Sequence, residues 1–165
     1  MKAILPNGQK VSPEPCGMLF YGTDKIGIDE AFRSGIPLKG HDWRLLEHVL
    51  QTRQNGHNAL SAFRGTTVLA NINPNLGQGA IHWAQEGGWV YHIGPMEGWN
   101  PEKLLEGQVK VAERFKGTPY EMELETSVSA LIAPNQIYKA GLVVESANCL
   151  VVREWTLNPN YPKLW

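Results

Sequence analysis

The sequence predicts an α+β domain made of two packed, antiparallel-rich sheets with short helices on their flanks. Helical patterns are short and come early. Strand-like runs dominate the second half and end in two alternating segments, 137–145 and 149–155. The length of 165 residues, 42% of them hydrophobic, suits one domain around a single core.

Each element has a local reason. Residues 1–17 carry Pro6, Gly8, Pro13, Pro15 and Gly17 and read as an irregular arm with at most a short strand, so the core of the single domain (1–165) is expected over about 18–155. Met18-Leu19-Phe20-Tyr21 is a buried strand, ended by Gly22-Thr23-Asp24. Asp29 is placed to cap a short helix through Phe32-Arg33 that Gly35 stops, and Ile36-Pro37 forces extended chain. A second helix is expected behind Asp42, from Trp43 to Gln51 or Arg53, because Trp43, Leu46, Val49 and Leu50 have helical spacing. Asn55-Gly56-His57-Asn58 is a turn, and 60–64 a strand that ends in Gly65-Thr66-Thr67.

After a loop at 71–79, residues 80–84 read as a short helix between Gly79 and Gly87-Gly88. Residues 89–93 are the clearest strand, rich in aromatic and β-branched side chains. Pro101 opens a helical turn through Leu105. Residues 107–119 fit a helix or a strand, and 122–128 a strand. The runs 137–145 and 149–155 make a hairpin through Ser146-Ala147-Asn148. Pro159 and Pro162 make the tail from 156 extended.

Composition narrows the function. A net charge of −1 gives no global basic field for nucleic acid, although a local patch remains open. Cys16 and Cys149 could pair if the termini meet in space but read rather as two buried free thiols, which say little about compartment. The N-terminus has no apolar core of a signal peptide, and no run is long enough to span a membrane, so a soluble chain is expected, whole or a catalytic fragment. The five histidines lack zinc-ligand spacing. Asp42, a histidine and Ser61 could form a triad on paper, but no nucleophile elbow accompanies them, and no glycine-rich phosphate loop follows a strand.

The most informative stretch is Glu123-Leu124-Glu125-Thr126-Ser127-Val128-Ser129, followed by Asn135-Gln136-Ile137-Tyr138. Residues i and i+2 of a strand point to one face, where two like charges repel. A solvated strand edge accommodates such a pair. So does a site that must stabilise a developing cation and orient a nucleophile.

Three segments stand in order: Tyr21-Gly22-Thr23-Asp24, Phe63-Arg64-Gly65-Thr66-Thr67, and Glu123-Leu124-Glu125. This order resembles the mono-ADP-ribosyltransferase toxins of the cholera-toxin and pertussis-toxin group, with their Tyr-Arg-x-Asp strand, Ser-Thr-Ser strand and Glu-x-Glu pair. Glu125 lies eleven residues before Gln136, as the catalytic glutamate does before Gln-Ile-Tyr in the cholera-like pattern. The stretches Trp89-Val90-Tyr91-His92-Ile93 to Glu106-Gly107 and Ile28 to Gly35 are also similar to that group, so the likeness spans roughly 18–145.

The resemblance implies an ADP-ribosyltransferase-like fold with NAD⁺ in the cleft between the sheets. NAD⁺ would be consumed as a substrate, its ADP-ribose passing to a protein or nucleic-acid acceptor and nicotinamide leaving. No metal is implied. Glu125 would stabilise the oxocarbenium and Glu123 would meet the acceptor. Gly65, Thr66 and Thr67 would support Glu125, with one hydroxyl lost at Gly65. The group's phosphate-binding Arg is replaced by Gly22, so Tyr21, Gly22 and Thr23 look instead like the His-Gly-Thr of the diphtheria-toxin and PARP branch, which holds nicotinamide. A different cation must then meet the phosphates: Arg64 first, otherwise Arg33 or Arg44, with an outward-facing strand residue the competing reading of Arg64. A toxin or effector domain of this kind implies action in the cytoplasm of a producing or target cell, and possible pairing with a neutralising immunity or antitoxin protein. An NAD⁺ glycohydrolase and a non-catalytic binding module of the same fold are the alternatives.

Overall fold

The structure is a computed structural model and describes residues 1–49, 60–67, 80–105 and 125–162, with Glu125 described by its backbone only. Its strands are β1 (Ala3–Ile4), β2 (Lys10–Val11), β3 (Glu14–Thr23), β4 (Phe63–Thr67), β5 (Trp89–Trp99), β6 (Glu125–Ser129), β7 (Ile137–Ser146) and β8 (Cys149–Leu157). The helices are α1 (Ile28–Ser34), α2 (residues 45–49), α3 (Ala80–Ala84) and α4 (Pro101–Leu104).

β1 and β2 form a small ladder. The other strands form an antiparallel sheet in the order β3-β4-β6-β5-β7-β8, and β3 also pairs with β5. That second pairing runs from Glu14 opposite Gly98 to Thr23 opposite Trp89. β5 therefore belongs to two wings. Its first half lies between β3 and β7, and its end, Gly98 and Trp99, pairs with Val128 and Ser127 of β6. The core holds Leu19, Tyr21, Tyr91, Ile93, Val128 and Ile137, with Ala31 of α1 packed on it. A second core, under α2, gathers Leu45, Val49, Phe63 and Trp99. There Trp43, Phe63 and Trp99 meet edge to face, the arrangement their ring quadrupoles favour.

Local chemistry explains several boundaries. Gly35 ends α1 at φ +79°, and its N–H returns to the Ala31 carbonyl. The β7–β8 turn puts Ala147 and Asn148 both at positive φ, 51° and 65°, the two-residue turn whose twist matches a hairpin. Pro101 opens α4, and the Asn100 side chain caps it by accepting from the Lys103 N–H at 3.1 Å.

Other expectations need correction. Asp29 lies inside the first turn of α1, and Gly27 is the N-cap. Residues 1–17 are not irregular: they hold β1, β2 and the start of β3, because pairing with β5 overrides Pro15 and Gly17 through shifts of register at those residues. The hydroxyl run Gly65-Thr66-Thr67 does not follow its strand but forms its second half. The tail is not simply extended. Asn158 donates to the carbonyls of Pro134 and Ile137, and the Tyr161 hydroxyl to that of Gly94, folding the chain back on the sheet. The continuation of the second helix past residue 49, the turn at 55–58, the loop at 71–79, the ambiguous 107–119 and the strand start at 122–124 lie outside the described residues.

Candidate functional site

Three segments far apart in sequence meet in one row. Phe20 of β3 stands opposite Thr67 of β4, and Thr67 opposite Glu125 of β6. The β4–β6 ladder runs without a shift from Phe63 opposite Ser129 to Thr67 opposite Glu125, so the position of Glu125 is fixed by five consecutive pairs. Glu123 lies outside the described residues.

The hydroxyls around this row are buried. Thr66 Oγ1 donates to the Thr126 carbonyl at 2.6 Å, and Thr67 is buried. Gly65, which lacks the hydroxyl its position suggests, stands opposite Ser127, fully buried and also opposite Trp99. Ser127 returns a hydroxyl to that rung. The sequence reading missed it. Its signal is the spacing Glu125-x-Ser127, which puts both residues on one face of a strand.

Thr23 closes β3: its Oγ1 accepts from the Lys25 N–H at 3.1 Å. Gly22 is held by contact with α3. A Cβ built on it would come 1.7 Å from the Ala80 carbonyl oxygen, so the sheet backbone and the helix backbone touch there. No side chain fits at position 22 in this arrangement, and an arginine least of all.

Arg64 is buried, at 9% exposure, and its guanidinium is committed within the protein. Nε donates to the Ala130 carbonyl at 2.8 Å, Nη1 to the Tyr21 hydroxyl at 2.7 Å and Nη2 to the Pro37 carbonyl at 2.7 Å. Strand alternation places Arg64 and Thr66 on the face opposite Gly65 and Thr67. Arg64 thus turns inward toward Tyr21 and is not an outward-facing strand residue. Arg33 is exposed on the last turn of α1. Arg44 is exposed and makes two bonds to the Asp42 carboxylate, 2.9 and 2.8 Å, which hold the Asp42 pKa below its ordinary value.

Ser61 Oγ and His48 Nδ1 lie 2.9 Å apart, both buried, and Ser61 Oγ also accepts from the Phe63 N–H. Asp42 bonds to Arg44, and the Ser61–His48 pair ties α2 to the start of β4. His92 stacks on Phe20 with ring centres 4.4 Å apart, and its Nδ1 is buried without a partner among the described residues. Burial, and then Lys139, lowers its pKa. Among the described residues no cluster of three metal-binding side chains occurs, and no helix is long and apolar enough to cross a membrane.

No protein-family model matches the sequence, and no curated protein sequence matches it. Solved structures do. The Scabin toxin from Streptomyces scabies in complex with NADH superposes with a TM-score of 0.61 at 19% identity, covering 99% of this chain and 91% of that one. A point variant of the same toxin gives 0.62 at 19% identity, with 99% and 91% covered. A guanine-specific ADP-ribosyltransferase gives 0.60 at 19% identity, with 93% and 86% covered. At this identity the likeness is one of fold: the chain has the α+β fold of the ADP-ribosyltransferase toxins, as the three motifs predicted.

Proposed function

We propose that this chain transfers ADP-ribose from NAD⁺ to an acceptor macromolecule and releases nicotinamide. The observation that carries the reading is the Phe20–Thr67–Glu125 row inside this fold. It brings the end of the Tyr21-Gly22-Thr23 strand, the threonine strand and the glutamate together from separate parts of the chain.

In the proposed reaction the bond between the ribose C1′ and the nicotinamide nitrogen breaks, and its electron pair leaves with neutral nicotinamide. The sugar becomes an oxocarbenium ion. The Glu125 carboxylate would accept from the 2′-hydroxyl and stabilise that cation, a preorganised electrostatic role. The nucleophile then bonds to C1′ and loses its proton, with Glu123 meeting the acceptor. Tyr21, Gly22 and Thr23 would face nicotinamide, and Thr66, Thr67 and Ser127 would hold the glutamate strand. The guanine-specific neighbour makes a nucleobase one acceptor to test beside protein side chains. The reading expects action in the cytoplasm of a producing or target cell, where NAD⁺ is available, with a neutralising immunity or antitoxin protein as a further partner to test.

A second reading follows from Gly22. With position 22 filled by the Ala80 carbonyl and the Arg64 guanidinium held inside, neither of these two positions offers the phosphates a cation, which leaves Arg33 and Arg44 as the candidates to test and favours a binding module that does not turn over. Labelled NAD⁺ incubated with cell lysate, then treated separately with protease and nuclease, tests both readings. Label on a macromolecule, with nicotinamide release, supports transfer, and the enzyme that removes the label names the acceptor class. Release without label indicates a glycohydrolase. No NAD⁺ binding by calorimetry at millimolar ligand removes the enzyme reading.

A further inference from the structure

β8 is the last strand of its sheet. β7 holds one edge, and among the described residues no strand holds the other. Residues 153–157 are exposed, with Trp155 at 37% and Leu157 at 61%. A nine-residue edge strand without proline presents a row of backbone donors and acceptors that can take another strand.

We propose that two copies of this chain pair antiparallel through β8, about a two-fold axis between Arg153 and Glu154. The sequence of the strand selects a second copy. In that register Arg153 of each copy stands opposite Glu154 of the other, so two opposite-charge pairs flank the axis. Val152 then stands opposite Trp155, and Leu150 opposite Leu157.

The faces agree with this register. β7 and β8 slip by one residue between the pairs Val143–Val152 and Gly141–Trp155. The slip brings Val152 and Trp155 to one face despite their odd spacing, and both close over Gly141, where a Cβ would meet them at 2.2 and 3.1 Å. Leu150 and Leu157 share that face by alternation from Val152 and Trp155. Leu150 and Val152 already pack on the cluster of Ala80, Ile81 and Val143 under α3, so the exposed Trp155 and Leu157 of each copy would extend the partner's apolar cluster across the axis. Lys139, whose Nζ lies 4.5 Å from the Trp155 ring centre, lays its chain along the same face. Charges and bulges on an edge usually discourage pairing. Here the two charges have opposite sign and adjacent positions, which makes the edge complementary to itself and hostile to any other register.

Sedimentation equilibrium up to about 1 mM protein, the weak limit of specific association, tests the pairing. The unaltered chain is expected to dimerise. Arg153→Glu alone and Glu154→Arg alone place like charges across the axis and should each weaken the dimer by about tenfold or more. The double reversal restores complementarity and should dimerise again. An equimolar mixture of the two single variants should form a heterodimer. Circular dichroism confirms that each variant is folded. A monomer at every concentration overturns the proposal, as do single reversals that dimerise normally, or folded single variants that fail to associate when mixed. NAD⁺ turnover plays no part in this test, so it stands or falls apart from the proposed reaction.

Discussion

Arg64 Nη1 donates a 2.7 Å hydrogen bond to the Tyr21 hydroxyl, with the guanidinium carbon 5.3 Å from the centre of that ring. With its bonds to Ala130 and Pro37, the side chain ties β4 to β3, to the end of β6 and to the segment after α1. A buried cation held by three neutral acceptors is a structural cross-brace, and its loss leaves those acceptors unsatisfied. Arg64→Met is therefore expected to lower stability by about 2–3 kcal/mol, measured by urea unfolding. The opposite outcome has a clear meaning too. Unchanged stability with NAD⁺ affinity down by about ten- to a hundredfold, as loss of a hydrogen bond to a charged group gives, makes Arg64 the phosphate ligand that the sequence suggested.

Glu125 is expected to be the residue whose loss most affects chemistry. Glu125→Gln keeps size and strand propensity but removes the charge opposite the oxocarbenium. One preorganised electrostatic contact is worth about 10²–10³ in rate, so nicotinamide release should fall by that factor in a folded protein. Near-full activity would remove Glu125 from the reaction.

Glu123→Ala separates transfer from hydrolysis. If Glu123 meets the acceptor, loss of its carboxylate lowers labelling of the acceptor far more than release of nicotinamide into water. Parallel loss of both activities would instead give it a part in binding NAD⁺.

The sequence revealed what local chemistry decides. Gly35 at positive φ and the Ala147-Asn148 turn are read from neighbours along the chain. The meeting of Thr67 with Glu125 was legible only through the resemblance, which set the threonine strand beside the glutamate strand. The orientation of Arg64 was not. Strand parity decides it, and the sequence started that strand at residue 60 where the structure starts it at Phe63. Likewise, Asn158 and Tyr161 fold the tail back through hydrogen bonds to carbonyls 21 to 67 residues away, which no local pattern encodes. The crowding of Gly22 by Ala80 is a tertiary contact between β3 and α3 and is invisible in the motif that contains it.

His92 gives a pH dependence. Its folded pKa is depressed by burial and then by Lys139. The unfolded chain therefore binds a proton more readily once the pH falls below about 6.5. Stability from this group is fully present above that value and is lost as the pH falls on toward the folded pKa. His92→Phe preserves the stack on Phe20 and removes the titration. Urea midpoints measured from pH 8 to pH 5 should fall less steeply in the variant than in the unaltered protein. Equal slopes would remove His92 as a source of acid sensitivity.

Gly22 poses the sharpest test of the proposed NAD⁺ site. The built Cβ lies 1.7 Å from the Ala80 oxygen, 2.8 Å from the Ala80 carbonyl carbon and 3.0 Å from the Ala84 nitrogen, all backbone atoms that no rotamer can move. Overpacking of this kind costs about 1–3 kcal/mol, so Gly22→Ala is expected to lower the melting temperature. Gly22→Arg should do so at least as strongly, because the longer chain must also leave the sheet past α3. It should not raise NAD⁺ affinity, since its guanidinium can reach the phosphates only if α3 moves off β3. Thermal melts and an NAD⁺ titration of the same two proteins decide the point. If Gly22→Arg keeps its stability and binds NAD⁺ tenfold or more tightly, then α3 yields at Ala80, and glycine at this position is a substitution the cleft can reverse rather than one its packing requires.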